Sequence, residues 1–296
     1  MDWKPEEKLI PARKSRDYRH FNKNVLKSAN LLEKSLSEYI TRDEKDLNSS
    51  KLLNQAREII ALSDDPLHTF RMLRRVRRHD DLTFIHSLNV AIFCHEFADW
   101  MDMPQEEKDI LTLAGLLHDV GKMEVPGKII KKPGTLTEQE FSVIRQHPQE
   151  GYDILKKHSL DERIKNAALM HHERCDGSGY PSGLKADEID EFAKIVGIAD
   201  YYDALTSARV YRGPMCPFDV IRMLQEEEDK FDSGYLAVFM EGVAAFYIGC
   251  NILLSDGRIA RMVDTNPLNQ SKPIVKVDGL IINLAMLDEI SVEEIC

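Results

Sequence analysis

No apolar run in this chain approaches the ~18 consecutive residues that would suggest a membrane span. The opening stretch MDWKPEEKLIPARK also lacks the apolar centre of a secretory signal. Positive charge is not in excess: 39 Lys and Arg stand against 50 Asp and Glu, a formal net charge of -11. Holding a nucleic-acid polymer by its phosphates needs clustered Lys and Arg, so that class is disfavoured, and an anionic substrate has to be met by local cations. The five cysteines, Cys94, Cys175, Cys216, Cys250 and Cys296, are odd in number and show no paired close spacing. A disulfide framework is therefore not expected, and a reduced, cytoplasmic chain without membrane partners is the simplest reading. Internal repeats and low-complexity tracts are missing as well.

What is present is ordinary for a folded globular protein, with 43% hydrophobic and 30% charged residues. A length of 296 residues suggests a main domain with smaller flanking segments. Residues 1–80 are charged and helix-prone, with helical apolar spacing in VLKSANLLEKSLSEYI and KLLNQAREIIALSDD. They read as a helical cap on the main domain, in preference to a regulatory or dimerising module. The basic run Arg71, Arg74, Arg75, Arg77 and Arg78 at their end reads as a solvated helix face. From 81 to 249 helix follows helix, punctuated by Pro and Gly at VPGK, KKPG, DGSGYPSG and RGPMCP. From 250 to 296 the texture turns to short β-type runs, NILLSDG, RIARMVD, PIVKV and LIINLAM, which predict a small antiparallel β appendage.

The chemistry sits in the helical segment. His86, His118, Asp119, His147, His171, His172 and Asp200 are spread over five predicted helices or helix ends. A single His on an apolar face is usually a satisfied core residue. Five His positions with two Asp are harder to place that way, because each buried polar group without a partner costs several kcal/mol. A shared metal site removes that cost for all of them, and imidazole and carboxylate suit divalent Zn, Mn and Fe. One ion commonly takes three or four protein ligands, so seven candidates suggest two ions bridged by the two oxygens of Asp119. Two such ions can activate a water and stabilise both the attacking and leaving oxygens of a phosphodiester. Lys122, one turn beyond His118 and Asp119 in HDVGK, is placed to meet a phosphoryl oxygen.

HDVGK at His118–Lys122, HP at His147–Pro148, HHERCDGSGYP at His171–Pro181 and ADYYDALTSARVYR at Ala199–Arg212 together closely resemble the HD-GYP subgroup of the HD phosphohydrolases. The likeness runs in order from about Phe84 to Gly242 and includes KPGTLTEQE and FDSGYLAVF. It implies a mostly α, HD-type helical bundle that hydrolyses cyclic di-GMP to linear pGpG, GMP or both, with a bridging hydroxide as nucleophile. It further implies His86, His118, Asp119 and Asp200 as ligands of one ion and Asp119, His147, His171 and His172 as ligands of the other, with iron or manganese as the metals. Arg209 and Arg212 resemble the cations that contact the dinucleotide phosphates, a task suited to guanidinium, and Asp203 resembles a polar residue that orients a ligand or substrate. Tyr180, in the glycine-bearing loop Asp176–Pro181, either stacks on guanine or packs against the helices. That loop is also a candidate contact for a diguanylate cyclase (GGDEF) partner.

Two departures stand out. Leu82 occupies the position where many family members carry a Glu able to recruit a third metal, which favours two ions, and RVYR replaces the usual RPYR while keeping both cations. The alternatives are hydrolysis of another cyclic dinucleotide such as cyclic GMP-AMP, or a catalytically weak adaptor that binds cyclic di-GMP or a cyclase; the full ligand set argues against the second. A homodimer through the N-terminal helices is the oligomer to look for.

Overall fold

The computed structural model describes residues 49–61, 83–130, 132, 134–207 and 213–296, with isolated positions between 23 and 37. The main helices among the described residues are α1 (Ser49–Ile60), α2 (Thr83–Trp100), α3 (Gln105–Leu117), α4 (Glu138–Ile144), α5 (His147–Leu155), α6 (Glu162–Met170), α7 (Glu191–Thr206), α8 (Pro217–Glu226) and α9 (Ser233–Ala245). A 3-10 turn at Val120–Met123 and a single helical turn at Gly127–Ile130 link α3 to α4. None of the described helices is long and apolar enough to cross a membrane.

Two helices form the centre. α2 reads TFIHSLNVAIFCHEFADW and buries Ile85, Leu88, Val90, Ala91, Ile92, Phe93, Cys94, Phe97 and Ala98. A helix apolar on nearly every side belongs inside a bundle. α7 is similar, and it packs against α2, α3, α6, α8 and α9. Because both are so apolar, their inward-facing polar residues carry the information: the half-buried His86 near the start of α2, and the buried Asp200 and Asp203 three residues apart on one side of α7. An aromatic seam of Phe93, Phe97, Trp100, Tyr202, Phe239 and Phe246 locks α2 to α7 and α9, with Phe93 and Tyr202 edge to face at 5.3 Å.

α1 has the narrower stripe of a helix lying on a core. Leu52, Ala56 and Ile59 are buried against α2 and α3, and Arg57 pairs with Asp109 of α3. The remaining N-terminal expectations, including the basic run near residue 75, lie outside the described residues.

The C-terminal segment is antiparallel, in the order β4-β3-β2-β1-β5. Its strands are β1 (Asn251–Leu254), β2 (Ile259–Asp264), β3 (Ile274–Val277), β4 (Leu280–Asn283) and β5 (Val292–Ile295). Ile252, Leu254, Ala260, Met262, Val275 and Val277 point to the buried side with the alternation a one-faced sheet requires. β5 lies against α8, and the Tyr247 hydroxyl meets that of Tyr202 in α7 at 3.2 Å. The fold is thus mostly helical with a small antiparallel sheet, as expected. β5 was not anticipated, because VEEI carries two acids in four residues and offers little apolar pattern.

Candidate metal centre

The helices bring seven of the predicted residues to one place. His118 and His171 cap the C-termini of α3 and α6, His172 follows directly, and His147 opens α5 immediately after α4 ends. Asp119 precedes the 3-10 turn, and His86 and Asp200 reach in from α2 and α7. One ligand atom each from Asp119, His147, His171 and His172 lie within 4.8 Å of one another, and so do atoms from His86, His118 and Asp119. Asp119 is common to both groups. Its Oδ1 lies 3.3 Å from His147 Nε2 and 3.7 Å from His171 Nε2, whereas its Oδ2 lies 3.5 Å from His118 Nε2 and 3.6 Å from His86 Nε2. Asp200 also spans the two, with Oδ1 2.9 Å from His86 Nε2 and 3.9 Å from His118 Nε2, and Oδ2 3.8 Å from His172 Nδ1.

Helix termini set the tautomers. The last carbonyls of a helix have no intrahelical partner, and here they accept from imidazoles: His118 Nδ1 donates to Gly115 O at 2.7 Å, His147 Nδ1 to Ile144 O at 2.7 Å, and His171 Nδ1 to Ala168 O at 3.0 Å. A carbonyl only accepts, so each Nδ1 bears the proton and each neutral ring turns an Nε2 lone pair inward. His147 Nε2 and His171 Nε2 consequently face each other at 3.2 Å with no proton to share. His118 Nε2 and Asp119 Oδ1 are buried without a hydrogen-bond partner. Lone pairs and a carboxylate oxygen crowded in this way fit divalent cations, and the negative ends of three helix dipoles favour the same charge.

The electrostatics agree. Burial pushes His118 down to about 3 and lowers His147 and His172, so these rings stay neutral and able to ligate. For Asp119, burial opposes ionisation, but the Lys122 ammonium outweighs it and holds the carboxyl well below its usual range. Lys122 Nζ lies 2.5 Å from Asp119 Oδ2. His86 is the exception: burial works against a charge on it, yet Asp200 and Asp203 raise it to about 9, so the ring carries a proton that a bound cation would have to displace. Asp203 does this from behind, 2.8 Å from His86 Nδ1, and is itself buried.

Tyr180 stacks on His172, with ring centroids 4.6 Å apart and planes at 27°. Two residues not given a role by sequence reasoning shape this wall. Glu173 is buried and accepts from Ser182 N at 2.7 Å and Leu184 N at 3.0 Å, which pins the loop over the double histidine. The HHE motif was the available signal for it. Arg145 lies with its guanidinium carbon 4.6 Å from the Tyr180 ring centre, and nothing in its local sequence marks it. Arg209, Arg212 and Leu82 fall outside the described residues.

The HD-domain family profile matches residues 54–234. The chain is 35% identical over 206 residues to a cyclic di-GMP phosphodiesterase of Pseudomonas aeruginosa, covering 69% of this chain and 50% of that protein. It is 36% identical over 178 residues to a 3'3'-cGAMP-specific phosphodiesterase of Vibrio cholerae, covering 60% and 41%. A cyclic di-GMP phosphodiesterase of Thermotoga maritima is 33% identical over 232 residues, covering 76% and 58%. The chain thus spans about half the length of these curated relatives. Among solved structures, an HDG"Y"P protein of Bdellovibrio bacteriovorus shares the fold, with a TM-score of 0.58 at 16% identity over 77% of this chain and 73% of that one. With the family profile spanning most of the helical bundle and the motif histidines gathered at its centre, this chain belongs to the HD-domain family.

Proposed function

We propose that this protein is a metal-dependent phosphodiesterase that opens cyclic di-GMP to linear pGpG, GMP or both. The observation that carries the reading is the pair of ligand clusters joined through the two oxygens of Asp119. The activities named for the relatives support it. His86, His118, Asp119 and Asp200 would hold one divalent ion, and Asp119, His147, His171 and His172 the other, with iron or manganese as the expected metals. Bound there, the two ions supply Lewis acidity toward a phosphoryl oxygen and an activated water.

The remaining steps belong to the side chains. The carbonyl-fixed tautomers keep the imidazoles pointed inward, and Asp203 holds the His86 ring by its Nδ1. Lys122, beside Asp119, neutralises charge that builds on the diester. Arg209 and Arg212 are assigned to the dinucleotide phosphates, and Tyr180 closes the side of the site next to His172. A second substrate, 3'3'-cGAMP, is favoured by the Vibrio relatives that are named for it.

Anaerobic purification, metal analysis and chromatographic assay of cyclic di-GMP turnover with added iron or manganese test this reading. About two metals per chain with turnover are expected, and Asp119→Ala and His171→Ala should each lose both metal and activity. Full metal and full rate in Asp119→Ala would overturn the bridging assignment. Metal without turnover of cyclic di-GMP or cGAMP would favour an adaptor.

A further inference from the structure

Among the basic side chains near the centre, Lys122 is engaged by Asp119, and Arg174 donates to the carbonyls of His171 and Glu173. Arg145 is different. It is exposed at the end of α4, and its guanidinium has no ion-pair or hydrogen-bond partner among the described residues. What holds it are two ring faces, Tyr180 at 4.6 Å and Phe141 at 5.8 Å. These contacts fix where the cation sits without satisfying the five N–H donors of its fork. Tyr180 in turn stacks on His172 at 4.6 Å, so His172, Tyr180 and Arg145 form a ladder running outward from the ligand clusters.

The ladder places Arg145 two stacking steps from the ring of a candidate ligand. Tyr180 stands between Arg145 and His172, so the cation is placed to meet a part of the substrate other than a phosphate held at the clusters beside Lys122. Guanine offers two adjacent acceptors, O6 and N7, that match a guanidinium fork, whereas adenine sets an amino donor beside N7.

We propose that Arg145 reads the O6/N7 edge of a guanine in the cyclic dinucleotide and so selects guanine-containing substrates. This rests on the phosphodiesterase reading above and adds the specificity-determining contact to it. The charge balance of the molecule agrees: on a chain of net charge -11, a cation that makes no ion pair among the described residues is available to a ligand.

The test compares kcat/KM of the metal-loaded full chain on cyclic di-GMP, on its 7-deazaguanine analogue, in which N7 becomes C–H, and on cyclic di-AMP. Wild type and Arg145→Met are assayed, with metal content measured in both. Methionine keeps bulk over Tyr180 but has no donors. Wild type should favour cyclic di-GMP over the analogue and over cyclic di-AMP by about tenfold or more. Arg145→Met should lose about ten- to hundredfold on cyclic di-GMP, mainly in KM, and should no longer separate the three substrates. Equal losses on all three, with the wild-type preference intact, would mean that Arg145 only props Tyr180 and would overturn the inference alone. A metal-loaded wild type that turns over no guanine cyclic dinucleotide would overturn the phosphodiesterase reading and this inference with it.

Discussion

Gly121 shows how narrowly the site is built at the level of single residues. A Cβ there would fall 2.0 Å from His147 O and 2.5 Å from Gly151 N, because the 3-10 turn carrying Asp119 lies directly on the first turn of α5. Both contacts are backbone, so nothing flexible can move aside. Gly121→Ala is therefore expected to push Asp119 away from His147, and elemental analysis should find metal content well below wild type. Normal metal content would mean that the turn and α5 shift together. Glu96 is a second informative residue. Burial, assisted by Asp99 and opposed by Lys108, raises its pKa from 4.5 to about 7. The folded chain thus keeps a proton that the unfolded chain releases at lower pH, and stability falls as pH rises from 4.5 through about 7, then levels off. Glu96→Gln removes this dependence. Its advantage over wild type in urea denaturation should grow by about 2 kcal/mol between pH 5.5 and 8. An advantage that stays constant across that range would show that Glu96 is hydrated in the folded state.

Among the elements, the loop from His172 to Leu184 depends on one carboxylate. Glu173 receives two backbone N–H groups, and Gly179 runs so close to Glu173 and Arg174 that a Cβ would lie 2.4 Å from backbone atoms of each. Glu173→Gln keeps one acceptor and turns an amino group toward the other N–H, a loss of about 1 to 3 kcal/mol. Amide hydrogen exchange across residues 176–184 should accelerate while α2 and α7 stay protected. Unchanged exchange in the loop would show that the glycine contacts alone hold it. This loop also marks the limit of what was legible in the sequence. The histidines and aspartates that gather here stood out in the sequence because they recur at the ends of helices or inside apolar ones, and α2 and α7 because buried helices are apolar throughout. The Asp203 contact to His86 Nδ1 joins positions 117 residues apart and needed the packing of α7 on α2. Arg145 carries no motif, since any exposed helix end accepts an arginine. β5 escaped because Glu293 and Glu294 face outward on a strand of only four residues.

At the scale of the whole molecule, the candidate ligands come from separate parts of the chain that the apolar core alone brings together. His86 lies in α2, His118 and Asp119 beyond α3, His147 in α5, His171 and His172 beyond α6, and Asp200 in α7. Without cations, the facing Nε2 atoms of His147 and His171 and the buried His118 Nε2 work against that packing. An ion that binds only this folded arrangement should stabilise the whole bundle by mass action, by about 2.7 kcal/mol at a hundredfold excess over its Kd. For a chain of 296 residues, that corresponds to a rise in Tm of about 4 °C. Thermal melts of chelator-treated protein, before and after adding manganese, should show this shift in wild type and lose most of it in His147→Ala. The sheet contributes none of the ligands, so its amide exchange should change only through global unfolding. A metal-independent Tm in wild type would mean that the core holds the histidines together unaided and that the ions contribute to chemistry alone.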